Sequence, residues 1–167
     1  MRKLFHALAM ASLVAALPTA GHSQSQGGKA GQVRAFPDLT PIYRIAGVAD
    51  DGGATADGFA TSVHCTNFTA SKQQVQYIVR SAGGTQFDSL TLTLQARQTR
   101  TASTHGTAVF SEAFLTPGTP ISQGSMIIKA TTRKVHCSAM LVDAAASVPS
   151  GIALSLTRLN QEKGAQE

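Results

Sequence analysis

Only two cysteines occur in the chain, and they stand in near-identical tetrads, Val63-His64-Cys65-Thr66 and Val135-His136-Cys137-Ser138. A lone pair of cysteines behind an export signal reads as one structural disulfide, Cys65–Cys137. The two positions are 72 residues apart, one early and one late in the chain, as a bridge pinning one sheet to another would require. By the loop-entropy model, closing a loop of that length stabilises a domain by roughly 4 kcal/mol.

The export signal is read at residues 1–20. Arg2 and Lys3 form a basic start, residues 4–17 an apolar run, and Pro18-Thr19-Ala20 a cleavage region, with the cut placed between about residues 20 and 25. The apolar run is shorter than the ~20 residues that span a bilayer. No later stretch is long and apolar enough to cross a membrane, so the expected location is periplasmic or extracellular. Residues 21–36 are rich in Gly, Ser and Gln and read as a flexible leader. Residues 37–159 read as a single domain, and residues 160–167 as a disordered tail.

Two of the fourteen Lys and Arg lie in the signal, which leaves a net charge of +3 for the remainder. These cations are scattered, and only Arg133-Lys134 form an adjacent pair among them. A nucleic-acid partner would require basic residues clustered along one face, so none is expected. Tryptophan is absent and aromatics are few, which leaves Val, Ile, Leu and Ala to fill the core.

Period-two alternation recurs in short segments separated by Gly, Pro and Asp. Residues 42–48, 59–68, 75–81, 89–96 and 98–103 read as strands. Residues 108–115 read as a strand or a helical turn. Residues 126–132 and 135–142 read as two strands or as one long strand bulged near Arg133. The clearest pattern is Leu90, Leu92 and Leu94 on one side against Thr91, Thr93 and Gln95 on the other. Ile152, Leu154 and Leu156 alternate again in a final segment. Seven or eight such strands predict an all-β, antiparallel β-sandwich, immunoglobulin-like in architecture only. The buried tryptophan of immunoglobulin domains is missing, and Val135 replaces their tyrosine two residues before the second cysteine.

The His-Cys doublets raise a metal site of two imidazoles and two thiolates. Along a strand, however, an inward Cys65 sends His64 outward, and Cys137 does the same to His136. What survives is an exposed histidine group, His64 and His136 joined by His105, of which surface histidines without a ligand are the simpler reading. No cofactor is expected. The acidic segment from Asp50 to Gly58 offers oxygens that would suit calcium, but it lacks the spacing of an EF-hand loop and reads as a turn. Ser103, His105 and Glu112 are close in sequence, which alone does not make a catalytic triad. No catalytic residue is assigned.

The segments at residues 43–48, 60–67 and 134–143 carry Tyr43-Arg44-Ile45, Val63-His64-Cys65-Thr66-Asn67 and Lys134-Val135-His136-Cys137. In these the chain resembles small exported bacterial proteins of uncharacterised function. The resemblance implies export and a disulfide, and no activity. The expected function is a non-catalytic binding or structural module of the bacterial envelope or secretome, with an unknown protein or polar ligand as partner. The alternatives are a periplasmic metal-handling protein using surface histidines and a small secreted hydrolase.

Overall fold

The computed structural model describes residues 38–53, 55–115 and 119–159. The signal, leader and tail assigned from sequence lie outside them. Ten strands occur among the described residues: β1 Thr40–Asp50, β2 Phe59–Asn67, β3 Gln73–Arg80, β4 Gln86–Leu94, β5 Thr99–Ser103, β6 Glu112–Phe114, β7 Ile121–Ala130, β8 Val135–Asp143, β9 Gly151–Leu154 and β10 Leu156–Arg158. They form two five-stranded sheets, ordered β10-β1-β7-β3-β4 and β6-β5-β2-β8-β9. Every pairing is antiparallel except β5 with β6.

The sandwich expected from alternation is present, with ten strands among the described residues against the seven or eight expected. The last apolar segment divides at Ser155, so β9 completes one sheet and β10 begins the other. Only Glu112–Phe114 of the ambiguous 108–115 region is strand, and the region near Arg133 is a turn between β7 and β8.

The core is the set of inward positions from both sheets. Ile45, Val48, Val75, Tyr77, Val79, Leu94, Met126 and Ile128 from the first sheet meet Val63, Cys65, Ala102 and Val135 from the second. Burial of these aliphatic side chains is the main stabilising term, at ~25 cal/mol per Å² of apolar surface removed from water. One polar atom interrupts the core. Tyr77 is fully buried, and its hydroxyl makes no hydrogen bond to a described residue. Burial pushes its phenol well above the usual range, with the Arg100 charge pulling the other way. A buried hydroxyl without a partner carries its desolvation cost uncompensated, while an apolar replacement of the same shape does not. Tyr77→Phe is therefore expected to raise stability by about 1 kcal/mol. The check is a higher urea midpoint at unchanged slope.

The disulfide forms as expected between Cys65 and Cys137, but it does not pin one sheet to the other. Cys65 and Cys137 are directly opposed on the neighbouring strands β2 and β8, with Cα atoms 4.1 Å apart. The bond is a rung across one sheet. An inward-facing cysteine is compatible with either arrangement, and the register of β2 on β8 decides between them. Bonds of this kind persist in oxidising compartments. No helix among the described residues is long and apolar enough to cross a membrane.

Candidate functional site

The three histidines singled out from sequence are not brought together. His64 faces Ser138 and His136 faces Thr66 across the β2–β8 ladder, so the two are diagonal neighbours on the outer face of the second sheet. Their rings are engaged separately. The His64 ring meets Phe110 edge-on at 4.6 Å between centroids, and its Nδ1 lies 2.8 Å from Thr101 Oγ1. His136 packs edge-on against Phe68 at 5.1 Å.

His105 is not a surface residue. It follows β5, four residues beyond the Thr101 that contacts His64, where the chain bends away from the strand. It is 7% exposed, with Nδ1 2.9 Å from Asp50 Oδ2 and Nε2 3.0 Å from the Asp57 carbonyl. Both partners offer an acceptor oxygen, so whichever ring nitrogen carries a proton has a partner to donate to. Nothing in the local sequence signals this burial, because His105 lies in a connection without apolar periodicity.

The acidic segment is a pinned turn. Asp50 Oδ1 accepts from Gly52 N–H at 2.6 Å, and Asp51 accepts from Gly53 N–H and Phe59 N–H at 3.1 and 3.3 Å. Gly58 has φ +62°, and a Cβ there would lie 1.3 Å from Asp51 Oδ2, so glycine alone fits beneath that carboxylate. Asp50, Asp51 and His105 place donor atoms within 4.8 Å of one another. The same side chains hold the turn through their hydrogen bonds to Gly52, Gly53, Phe59 and each other.

The other sequence candidates are likewise committed to structure. Ser103 Oγ bonds Ser62 Oγ, His105 faces Asp50, and Glu112 accepts from Thr107 N–H and Oγ1, so the three do not converge as a triad. Asn67, the first residue of an Asn-Phe-Thr sequon, is fully buried, and its amide donates to the Ser71 and Gln95 carbonyls.

His64 carries a measurable consequence of its position. Burial lowers its pKa, and the Glu112 charge acts in the opposite sense. The unfolded ring, at the ordinary value near 6.5, therefore holds a proton that the folded ring has lost over the interval just below that pH. Stability is unaffected by this group above pH 6.5 and declines as pH falls through 6.5 toward the folded value. The expected result is that His64→Gln flattens the dependence of stability on pH below 6.5, measured by urea unfolding from pH 7 to 4.5.

A concavity suited to a ligand is one that sequence reasoning missed. It lies on the outer face of the first sheet, has a volume of about 570 Å³, and is lined by Arg44, Ala46, Arg80, Ser125, Ile127 and Thr157, with Ser155 at the β9–β10 corner. The register explains how it forms. Arg44 pairs with Thr157 and Ile127, Ala46 with Ser125, and Arg80 with Ser125, so a row of small side chains, Ala46 and Ser125, ends at Arg80 while Arg44 and Ile127 stand in the next row. Gly47, with φ +75°, is an extra residue between Ala46 and Val48, and it bends β1 beside that row. Arg80 donates to the Gly84 carbonyl at 2.8 Å, while Arg44 is exposed. The sequence shows the small residues and the arginines, but only strand order makes them neighbours.

Comparison of the chain with protein-family models, curated proteins and solved structures finds no match, so the site is read from its own geometry.

Proposed function

We propose that the chain is an exported, non-catalytic binding module of a bacterial envelope or secretome, with the cleft on the outer face of the first sheet as its ligand site. The observation that carries this reading is the cleft itself. Its volume lies in the range of small-molecule sites, and it combines apolar surface from Ala46 and Ile127 with hydroxyls from Ser125, Ser155 and Thr157. The outward positions beside it, Gln76 opposite Thr91 and Gln74 opposite Thr93, continue a polar surface along the same sheet.

A cleft built on a five-stranded sheet is pre-organised, since ligand binding there requires no ordering of a loop. The test is native mass spectrometry of the folded protein incubated with the small-molecule fraction of an envelope extract. Ser125→Trp, which fills the cleft from its central strand, serves as control. Adducts on the wild type that disappear in the variant support the reading. Adducts on neither protein, or equally on both, overturn it.

A further inference from the structure

We infer that the cleft selects organic anions, binding a carboxylate between Arg44 and Arg80 with an apolar body laid over Ala46 and Ile127. This rests on the proposal that the cleft is the binding site and adds the chemistry of the ligand.

The argument begins with strand order. Arg44 on β1 and Arg80 on β3 are separated by one strand, β7, and both point outward. Their β7 partners are Ile127 and Ser125, two residues apart, so the two Cα atoms are about 12 Å distant by sheet geometry. An arginine side chain extends for roughly half that distance, which allows two guanidinium groups to approach one anion from opposite sides.

Charge complementarity selects the occupant. None of the residues lining the cleft carries a carboxylate, and no ion pair to Arg44 or Arg80 occurs among the described residues. Arg80 is held by its bond to the Gly84 carbonyl, which leaves the rest of its planar fork to donate elsewhere. Guanidinium groups bind carboxylates through paired, charge-assisted hydrogen bonds. The floor between them is apolar at Ala46 and Ile127 and carries the Ser125 hydroxyl, with Thr157 on the far side of Arg44. An inorganic anion would leave that apolar floor uncovered, and a neutral ligand would leave both arginines without a counter-charge. An organic carboxylate uses both.

The probes are naphthalene-2-carboxylate and its neutral amide, naphthalene-2-carboxamide, titrated into isotope-labelled protein and followed by amide chemical shifts. The expected result is that the carboxylate shifts Ala46, Ser125, Ile127 and Thr157 and binds at least tenfold tighter than the amide. That preference should vanish in the Arg44→Gln/Arg80→Gln variant, whose unperturbed spectrum elsewhere verifies its fold. Raised salt should weaken the carboxylate and leave the amide unchanged.

Equal affinity of the two probes at the cleft residues would overturn the anion selectivity and leave the cleft as a binding site. Shifts confined to other residues would overturn both. Binding of the carboxylate that survives in the double variant would also overturn the role of the arginines.

Discussion

Replacing both cysteines by serine is expected to cost about 4 kcal/mol of stability while leaving the fold intact. The magnitude follows from the separation of Cys65 and Cys137, 72 residues, whose ends the bond holds together in the unfolded chain. The retained fold follows from the register. β2 and β8 pair without interruption from Phe59 opposite Asp143 to Asn67 opposite Val135, so the ladder keeps the two strands adjacent without the bond. Most of the loss therefore arises because the unreduced unfolded chain has fewer conformations than the reduced one. For a domain of this size the melting temperature should fall by about 15 °C. Refolding should also slow, because the β2–β8 contact joins distant parts of the chain and must be found by diffusion once the bond is gone. Urea unfolding of the double serine variant, with amide spectra to verify the native ladder, provides the check. A loss below about 1 kcal/mol would mean that the unfolded chain keeps β2 and β8 together by other means.

Removing the Asp50 carboxylate is expected to cost about 3 kcal/mol or more. Asp50 is 1% exposed, and its two oxygens serve different partners, Gly52 N–H and His105 Nδ1. Asp50→Ala leaves a buried imidazole facing no acceptor on that side and opens the turn that enters β2. Losing one member of a buried polar pair is more damaging than losing both, since the survivor keeps its desolvation cost. A double-mutant cycle with His105→Ala should therefore show a coupling of more than about 1 kcal/mol. Single losses that add with no coupling would show that His105 is held by the Asp57 carbonyl alone. Asp50→Asn, which keeps an acceptor for Gly52 N–H, should cost less than the alanine.

These two sites mark how far the sequence reaches. Alternation of Leu90, Leu92 and Leu94 with Thr91 and Thr93 is enough to place β4 and its buried side, because successive side chains on a strand must point to opposite faces. The same rule places Cys65 inward and His64 outward, and the observed ladder agrees. The two short strands β9 and β10 look like one segment in the sequence, because alternation continues through Ser155 while the hydrogen-bonding partner changes.

Local pattern also determined that Asp50 to Gly58 is a turn, since Asp and Gly favour turns through their own backbone chemistry. It did not show that His105 holds that turn from 55 residues away. Nor did it show that the disulfide lies within a sheet, or that Arg44, Ser125 and Arg80 form one cleft. Each of these depends on which strands are neighbours and in what register. Side-chain direction is a property of the strand itself and is written in its residues. Adjacency is a property of the packed sheets, decided by the sum of many long-range contacts, and it emerges only when the chain is folded.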